Sequence, residues 1–305
     1  MDIQEWVPLA PLTNYKIGGP ARYFAVASSI GDVQAGLNAA KERSAELLVL
    51  ASGTNMVLPD ELIDRFVLKI AIGGVEIEGT TATAGAGESM AELVKDCVNA
   101  GLGGLQWAGG LPGTVGGAVR GNAGAFGGEI RDTLTLVRAL TPEGELRTYH
   151  NHECAFGYRD SAFKRNGNII LEASFGLAPG EKRALRAEVE EHKSYRRARH
   201  PLEYPNAGST FKNVPVEQVP PSFLAEFSTK VKHDPFPVMP VAVIIAAAGL
   251  KGFRIGDAQV SEKHTNYIVN LGKATYADVT RVIAHVKQTI KAKYGIALEE
   301  EILVL

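Results

Sequence analysis

Two cysteines in 305 residues are too few for a disulfide framework, and Cys97 and Cys154 stand at no metal-type spacing. No run is apolar for long enough to cross a bilayer; the longest, Val238 to Leu250, is broken by Pro240 and Gly249. The opening residues, Met-Asp-Ile-Gln-Glu-Trp, are acidic and lack the apolar core of a signal peptide, so a cytoplasmic protein is expected. A net charge of -2 removes the electrostatic reason to expect nucleic acid or an anionic membrane as a partner. Two nucleotide fingerprints are missing as well. There is no G-x-G-x-x-G, and Gly272-Lys273 runs into Ala274 instead of completing G-x-x-x-x-G-K-[ST]. Any dinucleotide bound by this chain needs a fold other than a Rossmann domain.

What the chain has in abundance is glycine, concentrated between Gly101 and Gly128. Each glycine loses much backbone entropy on folding, so this density predicts tight turns and no stable helix or strand core. Turns of that kind expose amide N–H groups with no Cβ in the way, the usual means of holding a phosphate or pyrophosphate. Leu105, Trp107, Leu111, Val115, Val119 and Phe126 are interleaved with the glycines, which distinguishes the stretch from a polar linker.

The remaining chain alternates helix and strand signals, as in an α/β or α+β protein. Residues 31–43 predict a helix with Val33, Leu37 and Ala40 on one face. The strand Leu47–Leu50 leads into the turn Ala51–Asn55, a good place to meet a phosphate. Phe66–Ile70 and Val75–Glu78 read as strands, with Gly73-Gly74 between them. Ser89-x-x-Glu92 predicts a capping box for a helix with Met90, Leu93, Val94 and Cys97 inward, ended by Gly101. A hairpin, 133–140 with 145–149, turns at Pro142-Glu143-Gly144, and 168–175 is a further strand. Residues 181–200 predict a charged helix with the stripe Leu185, Val189 and His192 buried and with Arg196, Arg197 and Arg199 on a solvated face. Beyond Pro201 and Pro205, residues 240–248 form a short helix and 266–270 a strand. Thr275-x-x-Asp278 opens a last helix with Val279, Val282, Ile283, Val286 and Ile290 on one face.

Several short motifs, taken in order, resemble one family. Asn14–Ala21, Leu111–Ala118, Asn122–Glu129, Tyr158–Ser161, Gly208–Asn213, Gly249–Gly252 and Val260–His264 together are similar to the UDP-N-acetylenolpyruvylglucosamine reductase (MurB) family. The acidic C-terminal strand completes the resemblance, which covers nearly the whole chain. The spacing from Arg159 to Ser209 resembles the shorter branch, without the inserted tyrosine-bearing loop. The resemblance implies an α+β fold: a two-subdomain FAD-binding region of the vanillyl-alcohol-oxidase (PCMH) type followed by a C-terminal α/β substrate-binding domain. The expected divisions are 1–73 and 74–200 for the two FAD-binding subdomains and 201–305 for the substrate domain.

The resemblance also implies a reaction. NADPH reduces non-covalent FAD, and hydride passes to the enolpyruvyl group of a UDP-sugar to give UDP-N-acetylmuramate. A flavin-binding protein without turnover and an FAD oxidase of the same superfamily are the alternatives. Carried over by motif, Arg159 meets the substrate carboxylate, Ser209 donates the proton, and Glu301 is the glutamate of the site, with Glu299 a competing register. Without the motifs, Arg159 reads as a partner of Asp160, Ser209 as a turn residue and Glu301 as a solvated acidic end. The flavin loops implicate Gly53, Thr54, Asn55, Gly110, Pro112, Gly113, Thr114, Gly116, Gly117, Asn122, Ala123, Gly124 and Ile170. Lys212, Asn213 and Lys251 are candidates for the UDP pyrophosphate, and no metal is implied. Two departures stand out: Ala51-Ser52-Gly53-Thr54-Asn55 replaces the family's Gly-Gly-Gly-Ser-Asn, and no arginine follows Glu301.

Overall fold

The computed structural model describes residues 1–305 apart from Pro235. The chain forms two compact units. The first takes Met1–Val7, Ala21–Ser52 and Ile63–Arg196; the second takes Pro8–Pro20, Gly53–Leu62 and Arg197–Leu305.

The first unit carries two main sheets. One runs in the order Ile3–Pro8, Pro20–Ala27, Ile63–Ile70, Leu47–Leu50. Its last three strands are parallel, with Phe24 and Leu48 both opposite Val67. Parallel neighbours require a crossover, and the helix Ile30–Glu42 supplies one, its Ser29 hydroxyl accepting the Asp32 N–H. Phe66, Val67 and Leu68 are fully buried, as a parallel strand covered on both faces demands. The second sheet is antiparallel, in the order Leu146–His150, Leu134–Leu140, Ile169–Gly176, Thr81–Gly85, Val75–Glu78. The expected hairpin closes with Leu140 opposite Leu146 and the Gly144 N–H on the Thr141 carbonyl.

Three local expectations for this unit are corrected. The helix Met90–Ala100 has half a capping box: Ser89 accepts the Glu92 N–H, but the Glu92 carboxylate turns out to Lys95 at 2.6 Å. The Ser89 N–H is taken by Glu88 instead, at 2.9 Å. Arg196 does not lie on the solvated face of the helix Lys182–Arg199. It is buried, and its Nε donates to the Gly109 carbonyl at 3.0 Å.

The third correction concerns glycine. Inside the glycine stretch, Val115–Gly121 is an α-helix. Its poor propensity is offset at both ends and along one face. The Thr114 hydroxyl caps the start, Asn122 at φ +41° ends it, and Val115 and Val119 are fully buried. Gly116 is glycine because of packing: a Cβ there would stand 2.9 Å from the Ala86 Cβ.

In the second unit the helices Val241–Ala247 and Tyr276–Tyr294 share a core with the sheet Arg254–Ile255, Ala258–Val260, Ile268–Asn270. The last helix follows its sequence closely. Thr275 and Asp278 cap each other's backbone, the five expected apolar residues are buried, and Gly295 ends it at φ +70°. Tyr15 and Val57 reach the same core from the N-terminal third of the chain. The Tyr15 hydroxyl donates to the Ile268 carbonyl at 2.8 Å, and Leu303–Val304 pairs in parallel with Met56–Val57.

Cys97 and Cys154 are core residues, and burial pushes their thiols up to about 12 and about 11. Among the described residues no helix is long and apolar enough to cross a membrane. Overpacking at the glycine helix is directly measurable. Gly116→Ala should lose about 1–3 kcal/mol in urea unfolding. An unchanged midpoint for Gly116→Ala would contradict the packing account.

Candidate active site

In the first unit, the glycine loops differ from the expected row of open amides. The N–H groups of Val115 and Gly116 are taken by the Glu88 and Ala86 carbonyls at 2.8 and 2.9 Å, and that of Gly117 faces the Thr114 hydroxyl. What remains is a glycine-rich surface with few side chains. Gly110 and Gly113 adopt φ +72° and +112°, conformations that glycine alone takes readily. Gly110, Pro112 and Gly117 are exposed, and a Cβ built at Gly121 would meet nothing within 4 Å. Such a bare ridge fits close approach by a flavin nucleotide. Ile170 is buried in its strand, and Ala123 and Gly124 are half-buried beside the ridge's end.

Asn122, expected against the flavin, spends its side-chain amide inside the protein. Its Nδ2 donates to Glu129 Oε2 at 2.9 Å and to the Gly157 carbonyl at 3.0 Å, while Oδ1 accepts the Arg131 N–H at 3.1 Å.

Arg159 stands at the tip of a two-residue turn closed by Gly157 and Asp160, whose amides and carbonyls pair at 3.0 and 3.2 Å. Its φ of +54° is strained for a side chain of this size. The guanidinium donates to the Gly124 carbonyl at 2.6 Å and lies beside the Tyr158 ring. The Asp160 carboxylate pairs with Arg165, and the Ser161 hydroxyl, fully buried, donates to the Arg120 carbonyl at 2.7 Å. Asp160 is thus anchored from the other side.

The second unit brings Ser209, Glu301 and the Gly53–Asn55 turn onto one frame. Gly208 is left-handed at φ +82° with nothing near its absent Cβ, and Ser209 follows it half-buried. The chain then pairs with the C-terminus: Phe211 stands opposite Glu300, the Glu301 N–H donates to the Thr210 carbonyl at 2.8 Å, and the Lys212 N–H to the Glu299 carbonyl at 2.9 Å. The register separates the glutamates. Glu299 is exposed and ion-paired with Lys212 at 2.5 Å, Glu300 with Lys287 at 2.7 Å, and Glu301 lies against the turn that carries Ser209. Asn55 Nδ2 donates to the Glu301 carbonyl at 3.2 Å, and its own carbonyl accepts the Leu303 N–H. Gly53, at φ +62°, packs so closely that a Cβ would stand 2.7 Å from the Leu12 carbonyl oxygen. Asn213 caps Val241–Ala247 through its Oδ1 at 3.1 Å, while Lys251 is exposed.

Two residues not among the expected site candidates hold this frame. Asn206 donates to the Pro201 and Tyr204 carbonyls and accepts the Gly208 N–H at 2.9 Å. Asn266, buried, grips both backbone groups of Phe211: Oδ1 accepts its N–H at 3.1 Å and Nδ2 donates to its carbonyl at 2.8 Å. The Asn266 carbonyl also accepts the Thr210 N–H at 2.7 Å. His264 supports this loop through Nδ1, which accepts the Asn266 N–H, and burial beside Lys232 pushes its pKa down, favouring that neutral acceptor.

A mixed α+β chain with a glycine-rich ridge suits a flavin-binding protein, and a model described as an FAD binding domain matches residues 21–149. A second, described as the C-terminal domain of UDP-N-acetylenolpyruvoylglucosamine reductase, matches 200–305. The chain is 38% identical to the UDP-N-acetylenolpyruvoylglucosamine reductase of Lactobacillus johnsonii over 100% of its own length and 95% of that protein's. Its identity to the reductase of Latilactobacillus sakei is also 38%, over 98% of this chain and 91% of the relative. The crystal structure of the Thermus caldophilus reductase (MurB) superposes with a TM-score of 0.78 at 28% identity, covering 99% of this chain and 98% of that one. The chain belongs to the UDP-N-acetylenolpyruvoylglucosamine reductase family.

Removing the Asn266 amide orphans two buried groups of Phe211. Asn266→Ala should destabilise the protein by about 1–3 kcal/mol for each, read from the urea midpoint. A change within about 0.5 kcal/mol, as for a surface substitution, would show that the amide carries no such load.

Proposed function

We propose that this protein reduces the enolpyruvyl group of UDP-N-acetylglucosamine enolpyruvate to UDP-N-acetylmuramate, with NADPH as hydride donor, in cytoplasmic synthesis of peptidoglycan precursors. The observation that most supports this reading is the hydrogen bond from Glu301 to Thr210, which seats the glutamate against the turn of Ser209. Bound FAD supplies the hydride relay between NADPH and the vinyl carbon. The Gly110, Pro112, Gly113 and Gly117 surface of the first unit would hold it.

The chain's own residues manage charge and protons. Hydride addition at the vinyl carbon turns the substrate's carboxylate side into an enolate. Arg159 offers parallel donors to that carboxylate and stabilises charge as it develops, an interaction stronger in the transition state than in the ground state. Ser209 holds a proton on Oγ and delivers it to the adjacent enolate carbon; a hydroxyl is a weak acid, but the enolate is a strong base. Glu301 directs a hydrogen bond to the same carboxylate side, a role that needs its protonated form. Lys212, Asn213 and Lys251 are the proposed pyrophosphate contacts, and Lys212 must exchange Glu299 for the phosphate to serve.

Anaerobic half-reactions test the proposal. The parent should be reduced by NADPH and reoxidised by the enolpyruvyl UDP-sugar. Reoxidation by oxygen alone would indicate an oxidase, and no reduction a binding protein without turnover. Ser209→Ala should retain FAD and the NADPH half-reaction, and slow the second half-reaction by ~10²–10⁴. Arg159→Lys should instead raise KM and lower kcat of the second half-reaction together, since an ammonium cannot reproduce the bidentate clamp. Reoxidation of Ser209→Ala at the parent's rate would remove Ser209 from the mechanism.

A further inference from the structure

The hydrogen bonds around Arg159 close on themselves. Its backbone turn begins at Gly157, and the Gly157 carbonyl is held by Asn122 Nδ2. Its guanidinium donates to the Gly124 carbonyl, and Gly124 is the strand partner of Glu129. Asn122 and Glu129 are bonded to each other through Nδ2 and Oε2 at 2.9 Å. Both ends of the arginine, main chain and side chain, therefore lead back to the same two residues. Asn122 is completely buried and Glu129 nearly so. The Glu129 backbone N–H is fixed by Asp132 at 2.8 Å, and its other carboxylate oxygen pairs with Arg131. Asn122 ends Val115–Gly121 and Glu129 caps Ile130–Thr133 together with Asp132. The bonds of Asn122 to Glu129 and to the Gly157 carbonyl go beyond those caps and reach the Arg159 turn.

We infer that Asn122 and Glu129 are a positioning pair that sets the Arg159 turn for a substrate bearing a carboxylate. The inference rests on the proposed role of Arg159. It makes the two residues indirect, acting only through the arginine, and it predicts a pH signature. Burial raises the Glu129 carboxyl above the ordinary range and Asp132 adds to the rise, while Arg131, Arg159 and the Asn122 amide oppose it. As the pH falls through that raised value, Glu129 takes a proton on an oxygen that Asn122 or Arg131 needs. The pair loosens, and carboxylate binding weakens at a pH where free carboxylates are still ionised. The sign is fixed: affinity present above the raised value is lost below it.

The test uses the FAD-loaded enzyme and two titrants, UDP-N-acetylmuramate, which carries the carboxylate, and UDP, which does not. Affinities come from calorimetry between pH 5 and 8. Glu129→Gln should bind UDP-N-acetylmuramate about tenfold more weakly, the scale of one charge-assisted hydrogen bond. It should bind UDP as the parent does, keep its FAD, and lose the acid limb of the product-affinity profile. Asn122→Ala should show the same split between the two titrants. Should that variant not fold, Glu129→Gln, nearly isosteric, decides alone. Equal loss for UDP and product, or an unchanged acid limb, overturns the positioning role. Arg159→Lys separates the two levels of the account. If it weakens product binding while Glu129→Gln does not, only the pair is refuted. If Arg159→Lys leaves product affinity unchanged, the carboxylate role of Arg159 falls and this inference with it.

Discussion

Buried asparagine amides hold the backbone on which the proposed chemistry stands. Asn122, Asn206, Asn266 and Asn270 are the buried asparagines among the described residues, and each bonds backbone groups through its side-chain amide. An amide suits this task because it presents donors and an acceptor in one plane, as a peptide group does. Asn270 shows the pattern most fully: Nδ2 donates to the Tyr15 carbonyl while Oδ1 accepts from Gly272 and Ala274. Buried loop backbone without such partners would carry unmade hydrogen bonds, each costing about 1–3 kcal/mol. Removing the amides would therefore affect the turns of Arg159 and Ser209 before it affected any sheet.

A second constraint follows from the first. Asn122, Phe126 and Arg159 of the first unit all adopt positive φ. Each left-handed non-glycine residue costs about 1–3 kcal/mol and persists only where its surroundings over-determine it. The closed set of bonds through Asn122, Glu129, Gly124 and Gly157 provides that surplus. A guanidinium held this way has little to reorganise when charge develops nearby, which is the condition for electrostatic catalysis. In the second unit, Gly208 makes the same kind of turn without strain, so Ser209 is placed by the clamp on Thr210 and Phe211.

Local signals proved readable where side-chain periodicity and caps agree. The last helix, with its reciprocal Thr275–Asp278 cap and buried stripe from Val279 to Ile290, is the clearest case, and the hairpin at Pro142–Gly144 is another. Non-local facts were not readable. Glycine propensity argued against Val115–Gly121, and packing on Ala86 with two good caps overrode it. Arg196 looked solvated because its partner, Gly109, lies 87 residues away. Nothing in the sequence announces that Pro8–Pro20 and Gly53–Leu62 belong to the second unit. Among the functional candidates, motif order proposed Arg159, Ser209 and Glu301, with Glu299 a competing register. It could not reveal Asn266, which lies inside an expected strand and acts on a residue 55 positions away. Nor could it separate Glu299 from Glu301, since that distinction depends on pairing register with Thr210 and Lys212.

The central claim is that a buried amide serves catalysis by placing the residue it holds. A double-mutant cycle between Asn266 and Ser209, read on flavin reoxidation by the enolpyruvyl UDP-sugar, tests this most directly. If Asn266 acts by placing Ser209, then Asn266→Ala slows the step in the parent and adds nothing once Ser209 is alanine. The two effects are then strongly non-additive. If Asn266→Ala slows the step by the same factor in both backgrounds, the amide acts independently of Ser209 and the account is wrong.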